Sequence, residues 1–500
     1  MHSVENSSLL GTLAAEINCK VRFGRLSIVW LILLVSSLVG CGGGGGKASG
    51  LGVLTTVSTT TPPPSNPVQP APPAPAPAPT PPAEQPNPEN PPPTEPPLFG
   101  PTGSFTSNLG ICIGYSIMPE TTWDLLADGG YKVVRFDFVW ASVEKTPGVY
   151  NFAGEQNYDA MVDSLSRRNI KIVFILDYGN PLYDGGYAPY TQQGRDAFAR
   201  FAAAAVTRYK GKNIVWEIWN EPNEPGFWRM APGVTEPISS LYGQLVKTVI
   251  PAMRTADSKC FIAGPSVSNL SDGDANFGAM QFIRELGRNG TLQQLDAVSV
   301  HGYRSGTPES VASDYVFLRA IMGQFNCADK PIYNTEVGRS TGYYPNLTKI
   351  NSDEQGGWLV RTYLADIASN IGMTVWYTWM DAGNNSSEVA ENYGVITKNG
   401  QPKQVYAASR TMSTTLDGYR FTERVTGSLP QDVYLYKFLK GTKAAYVLWK
   451  TTANPDTVAV PLASGTWTKV DTFGNRTSVN STGTIQSPVS TLPVYFVPAE

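Results

Sequence analysis

The chain has 500 residues, which is enough for two or three structural units rather than one. Its formal net charge at pH 7 is −3, and no basic patch stands out in the composition, so we expect no nucleic-acid partner. Only 16% of the residues are charged, whereas 11% are aromatic. Aromatic surfaces suit flat, uncharged ligands such as sugars, although most single rings belong to the core.

The N-terminus has the pattern of an export signal. Three basic residues precede the apolar run LSIVWLILLVSSLVG: Lys20, Arg22 and Arg25. The length of this run fits a signal peptide better than a transmembrane helix. The letters LVGC, which end at Cys41, resemble the bacterial lipobox, in which the chain is cut before the cysteine and the cysteine is acylated. An ordinary secretory signal and an uncut anchor are the alternatives.

The resemblance also implies a location. Because Gly42 rather than Asp follows Cys41, similarity to Gram-negative sorting signals favours the outer membrane, at its periplasmic or surface face. We assign residues 1–40 to a lipoprotein signal peptide and residues 41–103 to a disordered linker. The linker is first rich in Gly and Ser and then in Pro, so it is predicted to be flexible and then extended. A docking site for a polyproline-binding domain is the alternative.

Three cysteines follow the linker: Cys112, Cys260 and Cys327. An odd number permits at most one disulfide among them. Cys260 and Cys327 each precede a predicted strand, so we expect them at one end of the fold and favour them as the pair. No CxxC spacing is present, and a single histidine, His301, follows the signal peptide. We therefore expect no metal and no cofactor.

Residues 104–420 alternate between strand and helix patterns. Eight strands are predicted, at 109–116, 132–139, 170–179, 214–221, 260–267, 295–303, 331–338 and 373–381. Several are nearly continuous apolar runs, as in parallel strands covered on both faces. Segments between them, such as 195–209 and 356–371, have helical spacing. Eight β-then-α units predict an α/β fold, the (β/α)8 TIM barrel. An open doubly wound sheet is disfavoured, because no Gly-rich phosphate loop follows an early strand.

The pattern changes in residues 421–500. Short alternating segments such as VYLYKFLKG and AAYVLWKTT are separated by turn residues and show no helical spacing. They predict a C-terminal antiparallel β-sandwich domain, to which residues 101–108 can add a further strand.

Two carboxylates stand out at predicted strand ends. Glu221 ends the fourth strand, in IVWEIWNEPN, and Glu336 ends the seventh, in IYNTEVG. Working groups of such barrels lie at the C-terminal ends of strands, so both side chains should enter one mouth. A carboxyl pair among aromatic and amide neighbours fits glycoside hydrolysis, in which one carboxyl donates a proton and the other stabilises or captures the anomeric centre.

The motifs add a family resemblance. WNEPN at 219–223 resembles the fourth-strand signature of the clan A glycoside hydrolases, and IYNTEVG resembles their nucleophile strand. NEPN followed by GFW, together with the earlier RFDFVWASVE run, most resembles glycoside hydrolase family 39. Within that family, residues 104–500 are similar to bacterial exopolysaccharide endoglycosidases of the Psl type, including the stretch DYGNPLYDGG.

This resemblance implies roles for individual residues. It implies that Glu221 is the acid/base and Glu336 the nucleophile. Asn220 would bind the sugar 2-hydroxyl, and His301 with Tyr303 matches the sixth-strand H-x-Y pair. Further substrate-binding candidates are Arg135 on the second strand, Trp379 as a stacking ring at the eighth, and Trp140, Tyr178 and Asn180 at other strand ends.

The function expected from these features is that of a retaining glycoside hydrolase. We expect endo action on an extracellular or periplasmic polysaccharide, such as a biofilm exopolysaccharide, by double displacement and as a monomer. A β-xylosidase or β-glucanase of the same clan, acting on plant polymers, is one alternative. A non-catalytic polysaccharide-binding lipoprotein is another, although it would not need both Glu221 and Glu336, so their joint presence counts against it.

Overall fold

The computed structural model describes residues 105–270, 278–344 and 347–499. The predicted signal peptide with Cys41 and the predicted linker lie outside these residues, so their assignment stays a prediction.

Within the described residues the secondary structure is as follows. The strands are β1 Leu109–Cys112, β2 Val133–Val139, β3 Glu144–Thr146, β4 Val149–Tyr150, β5 Lys171–Asp177, β6 Ile214–Ile218, β7 Phe261–Val267, β8 Ala297–His301, β9 Ile332–Val337, β10 Met373–Trp376, β11 Arg420–Val425, β12 Val433–Lys440, β13 Lys443–Lys450, β14 Asp456–Val460, β15 Gly465–Val470, β16 Arg476–Ser481, β17 Ile485–Val489 and β18 Val494–Pro498. The helices are α1 Glu120–Asp128, α2 Trp140–Val143, α3 Tyr158–Arg167, α4 Gln192–Arg208, α5 Ile238–Ala256, α6 Ala279–Arg288, α7 Val311–Gly323, α8 Ser352–Ala368 and α9 Gln404–Thr415.

Eight parallel strands close into a barrel. Their order is β1-β2-β5-β6-β7-β8-β9-β10, and β10 pairs back with β1. All eight predicted strands are present, and the prediction of a TIM barrel is confirmed. The eighth strand ends at Trp376 rather than at residue 381, and the fourth ends at Ile218 rather than at residue 221. The polar residues after these strands therefore belong to the loops of the barrel mouth.

Side-chain caps explain where two of the predicted helices begin. The Thr191 side chain accepts the backbone N–H of Gly194 at the start of α4. Asn351 and Glu354 form a reciprocal capping box at the start of α8. Both helices begin three or four residues before their apolar periodicity does, because a cap satisfies the first free N–H groups without needing an apolar side chain.

The C-terminal strands form the predicted sandwich. One sheet has the order β11-β12-β13-β18-β15-β16, and a second consists of β14 and β17. Between the sheets lies an apolar core that includes Leu435, Leu448 and Phe496. The predicted contribution of residues 101–108 is wrong for the part that is described, because Phe105–Asn108 is a 3-10 helix that leads into β1.

A buried ionic junction joins the sandwich to the barrel. Arg361 of α8 donates two hydrogen bonds, of 2.7 and 2.8 Å, to the two carboxylate oxygens of Glu309. The indole N–H of Trp449, on β13, donates to the same carboxylate at 2.6 Å. Burial raises the pKa of Glu309, but the Arg361 contacts outweigh it, so the pKa lies below its ordinary value. Because this charge is paired and hydrogen-bonded, the interface tolerates its burial.

The expected disulfide is wrong. Cys260 and Cys327 are buried free thiols, as is Cys112. Cys260 precedes β7 and Cys327 precedes β9, and β8 lies between these two strands. Two strand spacings are about 9.5 Å, which exceeds the Cα separation that a disulfide spans.

In the part of the chain that the structure describes, no helix combines the length and the hydropathy that a bilayer crossing requires.

Candidate active site

The C-terminal mouth of the barrel brings the two predicted carboxylates into one network. Glu221 lies three residues beyond the end of β6, and Glu336 is on β9. A bulge in β9 leaves Thr335 without a partner residue on β8, and the register then pairs Glu336 with His301. The bulge changes the direction of the β9 side chains at the point where the strand reaches the mouth.

The guanidinium of Arg135 is the centre of this network. Its Nε donates to Glu217 at 2.8 Å, its Nη1 to Glu336 at 2.8 Å and its Nη2 to Asn220 at 2.8 Å. Arg135 and Glu217 are both buried. The buried cation thus holds the candidate nucleophile and the amide beside the candidate acid on one rigid fork.

Glu217 was not predicted as a site residue. Its only signal in the sequence is a charged residue inside the apolar strand IVWEI, where a buried carboxylate requires a buried cation. The sequence gives no indication of which cation that is.

Two hydrogen-bond donors stabilise the ionised form of Glu336 against the effect of its burial. Arg135 contacts Oε2, and the Tyr303 hydroxyl donates to Oε1 at 2.7 Å. Burial raises the pKa of this carboxyl more than Arg135 and the Tyr303 hydrogen bond lower it, so the pKa lies above its ordinary value. The side chain is 14% exposed. Glu336 is thus a hydrogen-bonded carboxylate that still faces solvent, as a nucleophile requires.

The environment of Glu221 favours its protonated form. Its side chain is buried, and within the described residues Oε2 has no hydrogen-bond partner. Oε1 contacts Nδ1 of His301 at 2.7 Å. Burial raises the pKa of Glu221 well above its ordinary value, and the negative charges of Glu336 and Glu224 raise it further. A carboxyl that keeps its proton at neutral pH can act as a general acid.

These two pKa directions predict the pH dependence of turnover. Glu336 must be ionised and Glu221 protonated, so activity should rise as Glu336 loses its proton and fall as Glu221 loses its own. Because both pKa values are raised, we expect a bell-shaped kcat/KM profile whose basic limb lies well above pH 4.5, the ordinary value for a glutamic acid. Initial rates between pH 3 and 10 measure it. A basic limb below pH 5 would contradict the assignment of Glu221 as the acid.

Tyr178 lies beside Trp219, two residues before Glu221. It follows β5 and is partly buried, and its ring meets Trp219 edge to face at a centroid distance of 5.5 Å. Burial raises the pKa of Tyr178 first, and the charge of Glu221 contributes to the rise. Tyr178 therefore packs against the loop that carries the predicted acid.

Trp140 and Asn180 do not line the mouth, contrary to expectation. The Trp140 ring is buried and stacks on Tyr183 at 5.1 Å with an interplanar angle of 8°. Its N–H donates to the Glu144 carboxylate, and the Asn180 amide donates to the Glu144 carbonyl at 2.8 Å. These residues hold two loops together around Glu144, and no face of Trp140 is free for a sugar.

The eighth-strand ring was also predicted wrongly. Trp379 is 1% exposed and packs edge to face against Tyr131 and Tyr406. Tyr377, two residues earlier, is partly exposed at the end of the strand. Its pKa is raised by burial and then by the charge of Glu336, with Glu221 also contributing. Tyr377 also packs against Tyr393, whose ring contacts Tyr303. It is therefore the partly exposed ring at this strand end, and the prediction missed it because it placed the strand end at residue 381.

A family comparison gives the class of protein. Residues 103–382, more than half of the chain, match the sequence model of the family described as cellulase (glycosyl hydrolase family 5). The closed barrel and the carboxyl pair at its mouth are those of a glycoside hydrolase. The chain belongs to this family of glycosyl hydrolases, and the prediction of an O-glycosyl hydrolase is confirmed. A search of curated proteins finds no match.

Solved structures share the fold. A family 39 glycoside hydrolase from Bacteroides cellulosilyticus WH2 is 22% identical, with a TM-score of 0.66 over 79% of this chain and 82% of that one. A monomeric β-xylosidase from Caulobacter crescentus CB15 is 15% identical, with a TM-score of 0.57 over 80% and 98%. A family 30 endoxylanase from Clostridium papyrosolvens C71 is 12% identical, with a TM-score of 0.56 over 80% and 98%. At these identities the comparison shows that the chain shares the fold of family 39 and family 30 enzymes.

Proposed function

We propose that the protein hydrolyses glycosidic bonds with retention, by double displacement. The observation behind this proposal is the contrast between a buried, proton-holding Glu221 and a cation-bound Glu336 in one network. Glu221 gives its proton to the leaving oxygen while Glu336 attacks the anomeric carbon, and a glycosyl ester forms. Glu221, now ionised, then takes a proton from water. That water releases the sugar and restores Glu336.

The stereochemical outcome tests this mechanism. A retaining enzyme is expected to hold its carboxyl groups about 5–5.5 Å apart. Proton NMR during hydrolysis should first show the anomer that has the substrate's configuration, before mutarotation. Initial release of the opposite anomer would contradict double displacement.

We further propose endo action on an extracellular or periplasmic exopolysaccharide. Two exposed rings on loops at the C-terminal side of the barrel support a binding surface that extends beyond the carboxylates. Tyr115 follows β1 and is 51% exposed, and Tyr343 follows β9 and is 55% exposed. Exposed rings can stack on the sugars of a polymer chain. The similarity of the sequence to Psl-type endoglycosidases points to the same substrate class.

Replacing these rings should weaken the binding of polymeric substrates more than that of short substrates. Tyr115→Ala and Tyr343→Ala should each raise KM for a cleaved polysaccharide by roughly 3- to 10-fold, the equivalent of one lost stacking contact. Their effect on an aryl glycoside should be small. Val316→Ala, which removes an exposed side chain from α7, is the control. Equal losses on both substrates would argue for exo action in a closed pocket.

The alternative functions predict different results on a polysaccharide panel. New reducing ends from bacterial exopolysaccharides, with a rapid fall in viscosity, would support the proposal. Activity confined to xylans or β-glucans would favour a plant-polymer enzyme. Binding without new reducing ends would favour a polysaccharide-binding lipoprotein.

We also propose that the mature chain is a monomer with a lipid anchor at Cys41 in the outer membrane of a Gram-negative bacterium. The support is the lipobox-like LVGC, the following Gly42 and the proline-rich tether. Radiolabelled palmitate should enter the full-length chain but not its Cys41→Ala variant. Equal labelling of both would contradict the anchor.

A further inference from the structure

A residue outside the predicted site contacts the network at several points. Ser266 is fully buried near the end of β7. The register pairs Pro265 with Ser299 and Val267 with Val300 on β8, so Ser266 is the unpaired residue of a β-bulge. Its φ of +56° is left-handed, which is unusual for serine. A bulge of this kind redirects a side chain out of the strand alternation.

Ser266 contacts the candidate acid from two directions. Its backbone carbonyl accepts the N–H of Glu221 at 3.1 Å. Its hydroxyl lies 2.8 Å from Nε2 of His301, whose Nδ1 contacts Oε1 of Glu221 at 2.7 Å. One residue thus contacts both the backbone of Glu221 and the imidazole on its side chain.

Counting hydrogens identifies the donor to His301. Nη2 of Arg135 has two hydrogens and three acceptors: Asn220 at 2.8 Å, Ser266 at 3.1 Å and His301 Nε2 at 3.3 Å. The two shorter contacts use both hydrogens. Because the Ser266 hydroxyl accepts one of them, its own proton is free to point to Nε2.

The tautomer of His301 follows from this arrangement. The Ser266 hydroxyl donates to Nε2, while both Nη2 hydrogens of Arg135 point to other acceptors, so Nε2 accepts and the imidazole proton is on Nδ1. Burial, and secondly the charge of Arg135, lower the pKa of His301, so the ring is neutral. Nδ1–H then donates to Oε1 of Glu221, and the carboxyl proton is left on Oε2.

We propose that Ser266 is a positioning residue, which sets the His301 tautomer and thereby keeps the acidic proton of Glu221 on Oε2. In the opposite tautomer, Nδ1 would accept a hydrogen bond from a carboxyl proton on Oε1. That proton would point into the protein instead of towards the leaving oxygen. The consequence for catalysis rests on the proposed role of Glu221 as the acid. The assignment of the His301 tautomer does not depend on that role.

The tautomer can be read without any substrate. The chain has two histidines, so ¹⁵N-histidine labelling of full-length protein carrying His2→Gln leaves His301 as the only imidazole signal. At pH 7, ¹⁵N NMR should show a protonated Nδ1 and an unprotonated Nε2. In Ser266→Gly and Ser266→Ala, the Nε2 resonance should shift and a population with the proton on Nε2 should appear.

Two features of the design keep the test decisive. Ser266→Gly removes the hydroxyl while easing the left-handed backbone, so it is the variant expected to fold best. Ser299→Ala is the matched control, because Ser299 is buried on the neighbouring strand and its hydroxyl has no hydrogen-bond partner among the described residues. A wild-type proton on Nε2 would overturn the proposal even if neither Ser266 variant folds. Ser266 variants that retain the wild-type spectrum, or an equal change in Ser299→Ala, would also overturn it.

A kinetic arm tests the consequence for Glu221. With 4-nitrophenyl β-cellobioside, which needs more help from an acid, the Ser266 variants should lose about 10- to 100-fold in kcat/KM, which reports the step that releases the leaving group. With 2,4-dinitrophenyl β-cellobioside, whose leaving group departs without protonation, the loss should stay below about threefold. A changed tautomer with unchanged kinetics would support the positioning of the proton by Ser266 and would contradict the role of Glu221 as the acid. Equal losses on both substrates would indicate a merely structural effect. They would overturn the proposal that Ser266 positions the acidic proton of Glu221 for catalysis.

Discussion

Glu336→Gln should abolish turnover while the fold stays intact. The amide cannot form the glycosyl ester, so kcat/KM should fall by roughly four orders of magnitude or more, as when other covalent nucleophiles are removed. Arg135 keeps its contact with Glu217, and the Tyr303 hydroxyl still has an oxygen to bind. Release of reducing ends measures activity, and thermal unfolding measures the fold.

A matched substitution shows whether the loss is specific. Glu423→Gln makes the same chemical change to an exposed carboxylate on β11, where the partner is Lys437 at 3.0 Å. It should leave kcat/KM unchanged. If Glu336→Gln retains near-parental activity on a substrate that the parent cleaves, Glu336 is not the nucleophile.

Arg135→Met should have the largest effect on stability. It would leave the buried Glu217 carboxylate without its cation and remove the partner of Glu336. Breaking a buried pair from one side costs about 3–5 kcal/mol of unfolding free energy. Activity should also be lost, because the pKa of Glu336 would rise without the Arg135 charge. Urea unfolding followed by tryptophan fluorescence measures the stability.

Two further variants locate the origin of that cost. Adding Glu217→Gln to Arg135→Met should recover part of the stability, since it removes the unpaired charge. Arg410→Met breaks an exposed pair with Asp128 and should change stability much less. If the double variant is no more stable than the single one, the cost arises from lost packing rather than from unpaired charge.

The main features of the fold and both carboxylates were predictable because they are encoded locally. Buried parallel strands are apolar runs in the sequence, and WNEPN and IYNTEVG place their glutamates at strand ends. The structure also brings Arg135, Asn220, His301 and Tyr303 into contact with these glutamates or with each other.

The residues that were missed depend on details that local patterns do not contain. Ser266 enters the network through a bulge, which is a mismatch between two strands and cannot be seen in either one alone. Glu217 depends on a partner 82 residues away. Tyr377 was missed because the run MTVWYTWMD does not show where its strand ends. The choice between Tyr377 and Trp379 as the ring at the barrel mouth depended on that end.

The junction of Glu309, Arg361 and Trp449 has a consequence for how the protein unfolds. The carboxylate and the guanidinium are contributed by the barrel, and the indole that shares the carboxylate comes from the sandwich. The buried core of the barrel also includes Tyr436 and Phe438 of the sandwich. Separating the two parts would therefore expose an ion pair and apolar surface together. Barrel and sandwich should unfold in one cooperative transition. The sandwich is therefore part of the folded core of the enzyme rather than an accessory module that could be removed.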